Sequence, residues 1–165
     1  MNSRCCFTAA AGDGGYKLIE IDETRGAAGT RRSLRMEFRL GRRASGVAEV
    51  LVRNVKRRDL TRFQGISFYL KATAPLRVGV QLMDSQDDNP HWEGWRAFVS
   101  ADTEWRQHRV RFTDLWVERT LFVIPNRTNA RLDLDRIEAL VFWVPQPFNP
   151  GVNRATLWID EVSFY

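Results

Sequence analysis

Apolar and polar residues alternate with a period of two along most of this chain. In Leu34-Arg35-Met36-Glu37-Phe38-Arg39-Leu40 every second side chain is apolar and the others are charged, the pattern of a strand with one buried face. The same alternation predicts strands at Tyr16–Asp22, Gly46–Val52, Ile66–Lys71, Leu76–Leu82, Trp95–Val99, Trp105–Phe112 and Ala155–Tyr165. Leu140–Val144 is apolar at every position and reads as a central strand covered from both sides. Turns fall at Gly26–Thr30 and Asp59–Gly65, and Leu132–Ile137 supplies a single helical turn. Roughly eight or nine strands spaced about 8–14 residues apart, with no long crossover helix, exclude a parallel sheet. The expected fold is all-β: a β-sandwich of the jelly-roll kind over residues 16–165, preceded by a loose segment, 1–15.

The chain has 165 residues, 44% hydrophobic and 12% aromatic, enough to bury a core without disulfides or metal and too apolar for a disordered chain. No stretch approaches the ~18 apolar residues of a membrane span, and Met1–Gly15 reads as no signal peptide. Cys5 and Cys6 are adjacent and belong to no CxxC or Cys/His cluster, which argues against a disulfide framework or a zinc site. The net charge is +5. Between Arg25 and Arg62 twelve Lys and Arg face three acids, a local +9 that leaves the remainder at −4. One reading is a polyanion patch and the other is Arg on solvated strand faces, the commoner outcome where no nucleic-acid signature accompanies the charge.

Signs of catalysis are missing. The sequence holds two histidines, His91 and His108, and no GxSxG, HExxH or phosphate-binding glycine loop. His108 alternates with Val110 and Phe112 toward the core. Glycoside hydrolysis needs two carboxyls about 5–9 Å apart, whereas Asp87 and Asp88 are neighbours on a polar segment and Asp133 and Asp135 belong to a turn. No enzymatic activity is expected.

The order of the pieces is more specific than any one of them. Ser33-Leu34-Arg35-Met36 follows a turn; Asp59-Leu60-x-x-Phe63-x-Gly65-Ile66-Ser67-Phe68 comes next, then a strand ending in Leu82-Met83-Asp84 and a Trp-bearing segment. Thr103-Glu104-Trp105 leads to Val110-x-Phe112-Thr113-Asp114-Leu115, and Leu132-Asp133-Leu134-Asp135-x-Ile137 and Leu157-Trp158-Ile159-Asp160-Glu161-Val162 close the series. From Ser33 to Tyr165 this succession resembles the galactose-binding-like β-sandwiches, and among them the family 11 carbohydrate-binding modules. The Met-Gly-Gly motif of a sister family, the complex I intermediate-associated proteins, is missing. The resemblance implies a non-catalytic module that holds a glucan-like polysaccharide on a concave sheet, often beside a glycoside hydrolase catalytic domain, and extracellular where that enzyme is secreted. It also implies a structural calcium, with Asp160 as the ligand from the last strand, although Cys6-Phe7-Thr8-Ala9 offers no acidic partner for it.

Sugar recognition needs flat aromatic faces flanked by groups that reach hydroxyls. Trp105 and Trp158 are assigned to packing. Trp143 stands on the concave sheet where Leu140, Phe142 and Val144 face the core, with core packing as the even alternative. Asp84–Trp95 reads as a loop beside the sheet, where binding groups collect; it supplies Asp88, Trp92 and Trp95, and the resemblance matches Asp88 with His91-Trp92. Trp116, Arg119 and Phe122 occupy the connection in which the family places an aromatic, an Arg and an acid. Arg77, Gln81 and Met83 alternate onto the polar face of their strand and could line the sheet floor. The competing readings are a structural or protein-interaction β-sandwich, or polyanion binding through the Arg-rich stretch 25–62. Neither a membrane nor a nucleic acid is the expected partner.

Overall fold

The computed structural model describes residues 16–39, 47–86, 89–117 and 131–165. Among these residues ten strands form: β1 Tyr16–Asp22, β2 Ser33–Arg39, β3 Val47–Arg58, β4 Gly65–Ala72, β5 Leu76–Gln86, β6 Asn89–Ala101, β7 Arg106–Arg111, β8 Trp116–Val117, β9 Ile137–Pro145 and β10 Arg154–Phe164. They build two five-stranded antiparallel sheets, β1-β2-β10-β4-β7 and β3-β9-β5-β6-β8. The fold is an all-β sandwich.

Period-two alternation sends one side of each strand into the space between the sheets. Met36 and Phe38 on β2, Ile66, Phe68 and Leu70 on β4, and Leu157 and Ile159 on β10 face Val78, Val80 and Leu82 on β5 and Leu140, Phe142 and Val144 on β9, all of them buried. The two layers meet at Phe68 and Phe142, edge to face, with centroids 5.1 Å apart. His108 stacks on Phe68 at 5.6 Å. β9 is second in its sheet, and Ala139 and Val141 on its outward side are buried with Met83 and Trp143 packed against them.

The strands differ from the sequence expectation in three places. β3 runs on to Arg58, because pairing with β9 resumes at Arg58–Ile137 after an irregularity. Asp84–Trp95 is not a plain loop: β5 and β6 continue through it as hairpin arms, pairing Asp84 with Glu93, Ser85 with Trp92 and Gln86 with Asn89. Polar residues at a hairpin end lose nothing by keeping the ladder. Leu132–Ile137 is a tight turn closed by Arg136 N–H to the Asp133 carbonyl (3.0 Å), not a helical one.

The extended hairpin carries two carboxyls into the interior. Asp84 and Glu93 are 0% and 3% exposed and sit opposite each other. Asp84 Oδ2 accepts from Asp133 N–H at 2.9 Å. Burial lifts the Asp84 carboxyl to about 7; the Glu93 and Asp133 charges add to the lift, and the Asp133 N–H opposes it. The folded chain therefore holds a proton on Asp84 that the unfolded chain has released. Its contribution to stability declines as pH rises from about 4 to about 7. Asp84→Asn keeps the acceptor and removes the charge. It is expected to raise the melting temperature by several degrees at pH 8 and by little at pH 4, read by thermal denaturation across that range.

Candidate functional site

The outward face of the second sheet is where aromatic side chains gather. Cross-strand register places Trp143 of β9, Gly79 of β5 and Phe98 of β6 in one row, and Val141, Gln81, Arg96 and Trp116 in the next. Phe98 lies at the centre: its ring centroid is 5.3 Å from Trp143, 6.4 Å from Trp116 and 4.8 Å from Phe148. Trp116 and Phe148 are 47% and 55% exposed, while Trp143 is half-buried. Two of the rings on this face are thus open to a ligand and two form the floor between them.

Glycines make the floor flat. A Cβ at Gly79 would overlap the Trp143 indole nitrogen and its ring, so the absence of a side chain lets the indole lie against the β5 backbone. Gly94 does the same for Gln81, whose amide lies over it. The Trp143 Nε1–H, turned toward the sheet, has no acceptor among the described residues, so stacking rather than hydrogen bonding holds the ring. Phe148 is positioned through its neighbour. Buried Asn149 accepts from Arg77 N–H (2.7 Å) and donates to the carbonyls of Arg77 (3.0 Å) and Pro145 (2.8 Å). This clamp fixes the 3₁₀ turn Gln146–Phe148 beside β5.

Two guanidiniums join the rings. The Arg96 guanidinium carbon lies 4.9 Å from the Trp143 centroid and 5.6 Å from that of Trp116; that of Arg77 lies 5.5 Å from Phe98, cation–π distances. Burial pushes the pKa of Arg96 below its ordinary value. Past Phe148 a cavity of about 330 Å³ opens, lined by Arg77, Ser100, Asp102, Phe148, Asn149 and Val152 among others.

The expected site residues are partly dispersed. Trp143, Trp116, Arg77 and Gln81 share this face, although Gln81 is only 9% exposed. Trp95 does not: with Arg96 and Phe98 outward, its place in β6 turns it inward, and it joins the core at 9% exposure. Asp88, Arg119 and Phe122 lie outside the described residues; of Trp92 only the backbone is described, opposite Ser85. Arg96, Phe98 and Phe148 were not anticipated. The first two follow from β6 parity once Trp95 points inward; Phe148 sits in a turn and has no periodic signal.

Asp160 lies far along the fold, in β10 of the first sheet, where it accepts from Ala27 N–H (2.7 Å), the Thr30 hydroxyl (2.5 Å) and Glu161 N–H (2.8 Å). These donors occupy both carboxylate oxygens, and no group of three or more His, Cys, Asp or Glu side chains converges among the described residues. The arrangement fits a hydrogen-bonded carboxylate that docks the 27–30 turn, and a cation would have to displace those donors. Trp158 is likewise buried, donating to Asp22 Oδ2 at 2.9 Å with Arg25 over its ring.

The Arg-rich stretch is divided between β2 in one sheet and β3 in the other, and Arg32 pairs with Glu23 while Arg35 pairs with Glu20 and Glu37.

No family model matches the chain, and no curated protein does. Solved structures match in fold. A family 11 carbohydrate-binding module from Clostridium thermocellum, in complex with a β-1,3-1,4-mixed-linked tetrasaccharide, superposes with a TM-score of 0.72 at 16% identity, covering 93% of this chain and 84% of that one. A family 30 carbohydrate-binding module of a cellulosomal cellulase of the same organism gives 0.65 at 15% identity, over 95% and 84%. An exo-β-agarase gives 0.62 at 11% identity, with all of this chain matching 23% of that one. The chain has the β-sandwich fold of family 11 and family 30 carbohydrate-binding modules.

Gly79→Ala is expected to lift the Trp143 indole off β5 while the sandwich stays folded. The near-ultraviolet circular dichroism should change, with the far-ultraviolet spectrum unchanged.

Proposed function

We propose that this chain is a non-catalytic carbohydrate-binding module that holds a glucan-like polysaccharide on the outward face of its second sheet. The observation that carries the reading is the grouping of Trp116, Phe98, Trp143 and Phe148 on one sheet face, two of them about half exposed. An exposed apolar cluster of this kind marks a binding surface, and rigid rings seated on strands offer pyranose C–H faces a preformed platform. The fold shared with carbohydrate-binding modules supports the same reading. Trp116 and Phe148 stack on sugar rings; Phe98 and Trp143 hold them apart; Arg77 and Arg96 present N–H donors to the ligand. Trp92, Asp88, Arg119 and Phe122 remain proposed contacts from the adjoining segments.

The raised Asp84 carboxyl is no general acid for glycoside cleavage. It faces the sandwich interior at 0% exposure, beyond reach of a chain lying on the outer face. The module's partner is then a glycoside hydrolase catalytic domain that it serves by concentrating substrate, a reading supported by the match to part of an exo-β-agarase.

Binding of this kind is weak, with dissociation constants from micromolar to millimolar, about 4–8 kcal/mol. In titration calorimetry against soluble β-glucan, Trp116→Ala should weaken binding about tenfold, ~1.4 kcal/mol, with little change in melting temperature. Trp95→Ala should instead cost about 3–5 kcal/mol of stability, as a core truncation does. Absence of binding to β-glucan, xylan, mannan and pectin alike would remove the reading. Asp160 is the described residue that would hold the structural calcium implied by the resemblance. With the Asp160 hydrogen bonds complete, melting in calcium and after chelation should differ by less than about 2 °C; a larger calcium-dependent rise, as expected for a ligand bound to the folded state, would put a cation there.

A further inference from the structure

The cavity beyond Phe148 has a chemistry distinct from that of the aromatic face beside it. Leu76 and Ala101, cross-strand partners that belong to the core, lie at its base, and Pro75 and Pro150, whose rings fix the backbone, stand at its sides. Two opposite charges line it without being paired to each other. Asp102 is held in place by Arg106, which donates to Oδ2 at 3.1 Å, and by Thr103 N–H, which donates to Oδ1 at 2.8 Å. Each of its oxygens can accept once more. Arg77 is exposed and forms no ion pair with a carboxylate among the described residues. Its backbone is clamped by Asn149 and its guanidinium lies over Phe98 at 5.5 Å, so its N–H donors are placed but unspent.

A cavity lined by a carboxylate acceptor and a guanidinium donor disfavours ions of either sign, because an anion meets Asp102 and a cation meets Arg77. Hydroxyl groups suit both, donating to the carboxylate and accepting from the guanidinium. Phe148, 55% exposed, adds a flat apolar face, and the Ser100 hydroxyl, cross-strand from Arg77, adds a further polar group. A neutral sugar ring, apolar on its faces and hydroxylated at its edge, meets all of these at once. Resting on the reading of the adjoining face as a saccharide platform, we infer that this cavity is a further subsite, which takes one neutral sugar unit of the chain that crosses the platform. The two are continuous: Phe148 and Arg77 line the cavity, and both also lie against Phe98 on the platform. At about 330 Å³ the cavity is near the small end of the ~300–1,000 Å³ of ligand pockets, which suits a single ring rather than a length of chain. Its rigid walls and pre-placed polar groups order little when a sugar enters.

The test is titration calorimetry of the whole chain with trimers and hexamers of the β-glucan, xylan, mannan and polygalacturonate series. In a neutral series the hexamer, long enough to reach from the platform into the cavity, should bind about tenfold more tightly than the trimer. Asp102→Ala removes the acceptor, and Ser100→Trp places an indole in the cavity. Each should bring the hexamer to within about twofold of the trimer while leaving the trimer unchanged. Trp116→Ala, on the platform away from the cavity, should weaken trimer and hexamer together and keep their ratio. The galacturonate pair should show no such gain with length, because Asp102 opposes its carboxylates. One variant deletes a group and the other fills the space, so the test stands should either fail to fold. A length advantage that survives both variants, its absence in the unaltered chain, or an equal advantage for galacturonate would overturn the inference while leaving the module reading intact. Binding to none of the oligosaccharides would overturn both.

Discussion

The edge-to-face contact of Phe68 with Phe142 joins the two sheets at the centre of the molecule, and the aromatic face of the second sheet depends on the parity it enforces. With Phe142 inward, Leu140 and Val144 follow it into the core, and Trp143 must stand on the opposite side of β9. Register then aligns Gly79 and Phe98 beside Trp143. A one-residue slip of β9 would bury Trp143 and expose Phe142, removing the platform and the core contact together. Packing in the interior and chemistry on the surface are two sides of one constraint.

The platform is rigid because its parts are held by backbone and small residues. Gly79 and Gly94 let side chains lie flat against the sheet, and Asn149 ties the Phe148 turn to β5 with three hydrogen bonds. A ligand that stacks on such a face orders little on arrival, so less of the contact energy is lost to entropy. The arginines share this order, because their guanidiniums are stacked before any ligand is present.

The strands were legible because alternation is a local signal, and a two-sheet sandwich leaves nearly every strand with one apolar side. The outward position of Trp143 was legible for the same reason, through the inward set Leu140, Phe142 and Val144. Trp95 was not. Its segment is polar enough to read as a loop, and only pairing of Asp84 with Glu93 and Ser85 with Trp92 shows that the hairpin continues and turns Trp95 into the core. Asp84 and Glu93 lie in that polar segment and are both buried. Phe98 and Arg96 lay within a predicted strand, but their facing depended on the parity that Trp95 sets. Phe148 is placed by a side-chain clamp from Asn149, a long-range contact that no periodicity announces.

β10 lies between β2 and β4 in the first sheet, pairing with β2 over Arg154–Ile159 and with β4 over Leu157–Phe164. The strand latest in sequence is therefore the middle board of that layer, and within the sheet it is what joins β2 to β4 among the described residues. During synthesis the earlier strands of this layer wait with open edges until residues 154–164 leave the ribosome. Its pairings span 85–98 positions of chain to β4 and 115–125 to β2, which makes closure slow and the waiting edges prone to wrong partners. A truncation before Arg154 would split the layer down its centre, however intact the surface on the opposite side remained.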